Sequence, residues 1–267
     1  MFSPPAILMK TSDPHSGVHR GHGRHGFSMV ELVVVLAVVM LLTSLLMPGL
    51  QSARNSAYTV VCGANQRQLG IGFMLYGEDH SGQMPVSLLQ DHNEFAEMMA
   101  VTTGDMATGT TPGYDGLGKL WEFRYIDSPK CLHCPAHRHS HTFESNKIAY
   151  QSLTGSVMHR FYANYHYTGH ATHESCLAGR THRDRRNINR HDRFVLLTDG
   201  LRTREDFNHD TGMNVLYADG HYEYQADTAN EISNALPHAS GLPSVISSYH
   251  NSLVSDIWLD LDVDGEN

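Results

Sequence analysis

The densest group of residues with metal-binding or redox chemistry lies between residues 131 and 141, where cysteines and histidines are interleaved. Such a run can hold zinc, although a closed site usually takes further ligands from elsewhere in the chain. In an oxidising compartment the cysteines would form disulfides instead, and a third interpretation is that they remain inert thiols. The candidate zinc ligands are Cys131, His133, Cys134 and His137. The candidate disulfide cysteines are Cys62, Cys131, Cys134 and Cys176, whose pairing the sequence leaves open.

The acidic residues near the C-terminus are spaced like the first half of a calcium-binding EF-hand loop. Asp260, Asp262 and Asp264 alternate with apolar residues, and Gly265 follows where such a loop turns. The sequence stops before the position at which a complete loop supplies a bidentate glutamate. We therefore expect a solvated acidic tail, with calcium binding as the alternative.

A histidine and an aspartate, His209 and Asp219, could act as a base with its orienting carboxylate, or as metal ligands. The simpler interpretation is structural, with Asp219 and Gly220 forming a tight two-residue hairpin turn and His209 anchoring the loop before it. No Gly-x-Ser-x-Gly nucleophile motif accompanies them, so a structural role is predicted. Most other histidines, including His166 and His170, are predicted to be solvated.

A long apolar segment precedes all of these residues. Residues 1–26 are polar and contain several prolines and glycines, and basic residues outnumber acidic ones. From Phe27 the chain is largely apolar for about 20 residues, which is enough to span a bilayer. The four charged residues of the polar segment are Lys10, Asp13, Arg20 and Arg24.

Two alternatives fit the apolar segment less well. A core helix of a soluble protein seldom has so long an apolar run. A secretory signal peptide could be cleaved after Ala53, but it would not have a long polar leader or a glutamate, Glu31, inside its apolar region. A carboxylate at that depth is costly without a partner, so Glu31 is a functional candidate.

Residues 26–32, GFSMVEL, resemble the processing site of type IV prepilins and type II secretion pseudopilins. The resemblance implies that a prepilin peptidase cuts between Gly26 and Phe27 and that Phe27 is then N-methylated. Glu31 and Pro48 then occupy positions where the family has these residue types, whereas Ser28 and Met29 replace the commoner Thr and Leu. The resemblance further implies that Glu31 pairs with the amine of a neighbouring subunit, which would set the register of an open filament. The alternative partner is the amine of its own chain.

Three further stretches resemble pseudopilin-like proteins of planctomycetes and related bacteria. Residues 62–85 follow the pattern C-x-x-N-x-R-Q-L-G-x-x-x-x-x-Y-x-x-D-x-x-G-x-x-P, and residues 118–135 resemble the central segment of these proteins. His209 precedes Asp219-Gly220 by the spacing found near their C-termini. This resemblance implies an architecture more than an activity.

The expected fold is α+β and pilin-like: one long N-terminal helix, transmembrane in its first half, packed on a small antiparallel sheet with long loops. We expect a cleavable leader at 1–26, the transmembrane half of the helix at 27–50 and an extracytoplasmic globular domain at 51–267. The helix should extend to Tyr76, with one face formed by Cys62, Leu69, Phe73 and Tyr76. Strands are predicted at 194–197, 214–217 and 222–224, a helix at 88–101 and an exposed loop at 102–115.

The charge balance argues against a nucleic-acid partner, because the net charge is -9 and the 19 lysines and arginines form no long basic run. The sequence predicts a non-enzymatic structural subunit of a type II secretion or type IV pilus-like filament. Its expected partners are a prepilin peptidase, other pilin or pseudopilin subunits and the membrane. It would be a single-pass inner-membrane protein, with its N-terminus cytoplasmic before processing and its globular domain periplasmic. The alternative is an anchored enzyme or ligand-binding domain that uses the leader only for delivery. No cofactor is certain, and calcium and zinc are the candidates.

Overall fold

The computed structural model describes residues 26–103, 113–151, 160–171, 186–189, 194–209, 211–241 and 248–263. These residues form six α-helices and four strands, with short 3₁₀ turns between them. The helices are α1 (Met29–Asp79), α2 (Leu88–Asp91), α3 (Gly118–Glu122), α4 (Phe143–Gln151), α5 (Glu231–Ala235) and α6 (Ser248–Val263). The strands are β1 (Tyr165–Tyr167), β2 (Val195–Asp199), β3 (Gly212–Tyr217) and β4 (Tyr222–Ala226). The chain divides into two compact units, Met1–Gly49 and Leu50–Asn267, with the boundary one residue beyond Pro48.

In the first unit, the described residues are mainly the apolar first half of α1. Among the described residues of the chain, α1 is the one helix long and apolar enough to cross a membrane. Its large apolar side chains are exposed within this unit, as a lipid-facing segment requires. A helix was expected from Phe27 to Tyr76; α1 covers this interval except Phe27 and Ser28, and it ends three residues later, at Asp79.

In the second unit, the remainder of α1 packs on an antiparallel sheet with the strand order β1-β2-β3-β4. The predicted helix face is confirmed, because Cys62, Leu69, Phe73 and Tyr76 are all buried. Two glycines of α1 allow close approach: a Cβ at Gly63 would overlap the ring of Tyr222, and one at Gly70 would lie 2.8 Å from Leu216 Cδ2. The α+β fold, with one long helix on a small antiparallel sheet, is therefore observed.

The predicted helix at 88–101 is wrong, because α2 ends after a single turn. Asn93 adopts φ 57°, a left-handed conformation that asparagine tolerates, and the N–H of Glu94 donates to the carbonyl of Leu89 at 2.8 Å. This backbone reversal stops the helix, and a short 3₁₀ turn, Phe95–Glu97, follows.

The predicted exposed loop at 102–115 is wrong at both ends, and residues 104–112 lie outside the described residues. Thr102 and Asp115 are buried. Asp115 is retained in the interior because it accepts hydrogen bonds from Ser87 Oγ at 2.6 Å and from the N–H of Leu88 at 2.7 Å. His166 and His170 are also fully buried rather than solvated, and His166 Nε2 donates to the carbonyl of Phe95 at 2.7 Å.

Candidate functional site

The junction implied by the prepilin resemblance lies immediately before α1. Phe27 is 78% exposed, and a Cβ built on Gly26 would meet nothing within 4 Å. The backbone at this junction is therefore open to an enzyme, and a larger side chain at position 26 would not disturb the packing of the chain itself.

Glu31 caps its own helix. The N–H of Ser28 donates to Glu31 Oε2 at 2.8 Å, and the N–H of Val30 lies 3.3 Å from Ser28 Oγ. Ser28 and Glu31 thus form a capping box, the reciprocal Ser-x-x-Glu arrangement that satisfies free N–H groups at the start of a helix. This role was not predicted from the sequence, although the Ser-x-x-Glu spacing at residues 28–31 indicates it.

One disulfide ties α1 to the rest of the second unit. Cys62 in α1 is bonded to Cys134, with an S–S distance of 2.10 Å and 72 residues separating them. Cys131, the other half of the Cys-x-x-Cys pattern, is a buried thiol that donates to the carbonyl of Ser128 at 3.0 Å. Burial raises its pKa to about 12, so it stays protonated and is a poor metal ligand. Cys176 lies outside the described residues.

His209 lies directly over this disulfide. Its Nε2 is 3.8 Å from Cys134 Sγ and 3.3 Å from Asn214 Nδ2, while its Nδ1 is 3.3 Å from Thr59 Oγ1. Asp199, at the end of β2, places Oδ2 3.7 Å from the same Nε2. We call Cys62, Cys134, Asp199, His209 and Asn214 the His209 cluster, and all five residues are buried.

Asp199 is the acidic member of the His209 cluster. Its Oδ2 accepts from the N–H of Asn214 at 2.7 Å, and its Oδ1 accepts from Gln66 Nε2 of α1 at 3.4 Å. Burial raises the pKa of Asp199 to about 7, against the opposing effect of these hydrogen bonds. The cluster therefore holds a carboxyl group that can exchange a proton near neutral pH, beside an imidazole.

Asp219 and Gly220 are at the other end of β3 from His209 and form a hairpin loop. Gly220 has φ 84°, and Asp219 Oδ1 accepts from the N–H of His221 at 2.7 Å. The loop has three residues rather than two, because Tyr217 and His221 still pair through a 2.9 Å hydrogen bond and Gly220 forms a bulge. The structure does not bring His209 and Asp219 together. The carboxylate near His209 is that of Asp199, which also precedes a glycine.

The zinc ligands suggested by the run at 131–141 are dispersed. Only Cys134 joins the His209 cluster, whereas His133 hydrogen-bonds to Tyr150 Oη at 3.0 Å and His137 to Asn208 Oδ1 at 3.1 Å. Burial lowers the pKa of His133 to about 4, so it is a neutral core histidine.

The acidic tail is not arranged as a calcium loop in the part of the chain that is described. Asp260 and Asp262 belong to helix α6, and Asp264 lies outside the described residues. Asp262 accepts from Arg186 at 3.0 Å and from the N–H of Val195 at 2.6 Å, which ties α6 to β2. Its oxygens are therefore used in packing.

Residues 21–47 match the family model described as "Prokaryotic N-terminal methylation motif". No curated protein and no solved structure matches the chain. The matched residues include the open Gly26–Phe27 junction, the Glu31 cap and most of the apolar half of α1. In general such a motif implies processing by a prepilin peptidase, assembly with other pilin subunits and membrane anchoring. The match and the geometry around it support a prepilin-like protein.

Proposed function

We propose that this protein is a membrane-anchored structural subunit of a type II secretion or type IV pilus-like filament. In this proposal a prepilin peptidase cleaves between Gly26 and Phe27, and Phe27 is N-methylated. The observation that supports the proposal is the match at residues 21–47, which include Gly26, Phe27 and most of the exposed apolar half of α1. In this proposal the protein belongs to the planctomycete-type group that residues 62–85 and 118–135 resemble.

The orientation follows from the charges around the span. Three basic residues and one acidic residue precede the apolar segment. The positive-inside rule therefore predicts that the leader stays on the cytoplasmic side. The second unit would then lie outside the cytoplasm, where a disulfide such as Cys62–Cys134 persists. Both features support a single-pass inner-membrane protein.

Cleavage would change the surroundings of Glu31. It would create a charged amine on Phe27, next to Ser28, whose N–H already donates to Glu31. One carboxylate oxygen is used in this cap, and the carboxylate can still accept from the amine of a neighbouring subunit. Such a pair would reduce the cost of a carboxylate in lipid and set the register between subunits.

Processing is tested by replacing Gly26 with valine and measuring the intact mass of the membrane-bound protein. We expect the Gly26→Val variant to remain uncleaved and to retain residues 1–26, because the added side chain would obstruct the peptidase. Gly49→Val is the matched control, since a Cβ there also meets nothing within 4 Å. The control should lose residues 1–26 and begin with methylated Phe27. Full processing of Gly26→Val would contradict the proposed function.

A further inference from the structure

The His209 cluster contains a set of soft metal ligands. One ligand atom from each of Cys62, Cys134 and His209 lies within 4.8 Å of the other two, and all three residues are buried. Two sulfurs and an imidazole nitrogen are a donor set that suits Zn²⁺. In the structure the two sulfurs are bonded to each other, so these ligands become available only when the disulfide is reduced.

The distances fit a tetrahedral ion. With Zn–S of about 2.3 Å and Zn–N of about 2.05 Å, a tetrahedral site places sulfur and nitrogen about 3.6 Å apart and two sulfurs about 3.8 Å apart. Cys134 Sγ and His209 Nε2 are already 3.8 Å apart. The remaining changes are the separation of the two sulfurs and the positioning of Cys62 Sγ, which lies within 4.8 Å of the ligand nitrogen of His209. Reduction of the disulfide frees both cysteine side chains to rotate.

Neighbouring groups would support an ion at this position. Thr59 Oγ1 lies 3.3 Å from His209 Nδ1, so it can accept from the Nδ1–H and orient the ring with Nε2 towards the sulfurs. Asp199 Oδ2, 3.7 Å from Nε2, is near enough to serve as a fourth ligand or to hold a bound water. Two thiolates balance the charge of a divalent ion, so these three ligands bury no net charge.

We propose that the reduced chain binds one zinc-like divalent ion through Cys62, Cys134 and His209, so that a metal replaces the disulfide as the link between α1 and the rest of the second unit. A dithiol would supply the two electrons, becoming a disulfide itself while Cys62 and Cys134 become thiols. Metal binding then displaces one proton from each thiol. The disulfide is the link under oxidising conditions and the metal is the link under reducing ones.

The experiment uses the full-length chain in detergent with Cys131→Ser and Cys176→Ser, which leaves only the two cysteines of the site. After reduction and removal of the reductant, Co²⁺ is titrated and the thiolate-to-cobalt charge-transfer absorption is followed. Histidines elsewhere, including those of the leader, do not produce this absorption. We expect the reduced chain to bind one equivalent of Co²⁺ and to show the charge-transfer absorption. The oxidised chain should show no such absorption.

Two histidine variants distinguish a built site from chance binding. His209→Ala should weaken Co²⁺ binding by at least about 10-fold, the scale for disturbing a metal site. His137→Ala is the matched control, because His137 is equally buried but hydrogen-bonds to Asn208 instead. It should bind Co²⁺ as tightly as the parent chain, which carries only Cys131→Ser and Cys176→Ser. Equal binding by the His209→Ala and His137→Ala chains would overturn the proposal.

Circular dichroism measures whether reduction or the His209→Ala substitution unfolds the chain. If reduction unfolds the parent, Zn²⁺ should restore its ellipticity and protect both thiols from alkylation, and failure to do so would contradict a metal link. If His209→Ala is unfolded, His209→Cys supplies a third thiolate and should recover binding. The absence of a charge-transfer band from the reduced parent, folded or not, would also overturn the proposal.

Discussion

Reduction of the Cys62–Cys134 disulfide is expected to lower the free energy of unfolding of the unit Leu50–Asn267 by about 4 kcal/mol. The two cysteines are 72 residues apart, so the bond closes a long loop in the unfolded chain. In the chain-entropy model, a loop of about 70 residues corresponds to about 15 cal/mol/K, or about 4 kcal/mol at room temperature. For a unit of this size, that corresponds to a fall in melting temperature of roughly 8–16 °C.

The assay compares urea unfolding of this unit with and without a phosphine reductant, in buffer free of divalent metal. Cys131→Ser is the matched control, because Cys131 is a buried thiol outside the bond. Its stability should show the same dependence on the reductant as the wild type. Cys134→Ser should resemble the reduced wild type and should no longer respond to the reductant.

Two results would refute this reasoning. If the wild type unfolds at the same urea concentration with and without reductant, the bond does not constrain the unfolded chain. If Cys131→Ser removes the effect of the reductant, the bond joins Cys131 rather than Cys62 to Cys134. Such a bond would close a loop of only a few residues and would stabilise the unit by about 2 kcal/mol.

Three further predictions concern assembly, pH and the hairpin. Glu31→Gln keeps an acceptor for the capping N–H of Ser28 but removes the charge, whereas Glu31→Leu removes both. If a charge pair directs assembly, both variants should stay in the membrane and lose cross-linked ladders; ladders of wild-type intensity from Glu31→Gln would exclude that role. Because the pKa of Asp199 is raised to about 7, the folded unit binds more protons than the unfolded chain, so its stability should fall as pH rises from about 4 to about 7. Relative to Asp199→Asn in urea unfolding, the wild type should lose up to a few kcal/mol over this interval, and parallel pH profiles would contradict the shift. Gly220→Val should destabilise the unit by more than about 1 kcal/mol in thermal unfolding, because valine is strained at φ 84°, and an unchanged melting temperature would exclude that strain.

The sequence by itself determined the features that depend on neighbouring residues. The N-terminal methylation motif and the apolar segment are each a run of neighbouring residues. The buried face of α1 follows from the spacing of its apolar residues, because a helix repeats every 3.6 residues. The hairpin was also predictable from neighbouring residues, because Asp219 and Gly220 specify a turn between two strand-like runs. The capping box of Ser28 and Glu31 was equally local and could have been recognised from the sequence.

Only the tertiary structure decided which distant side chains meet. Cys134 pairs with Cys62 rather than with nearby Cys131, because the packing of the second half of α1 in the second unit brings Cys62 to residue 134. His209 faces Asp199 rather than Asp219, because β3 separates His209 from the hairpin while the antiparallel pairing of β2 and β3 brings the end of β2 beside it. Contacts of this kind depend on the direction and register of packed elements. Residue types and spacings along the chain do not determine either of these.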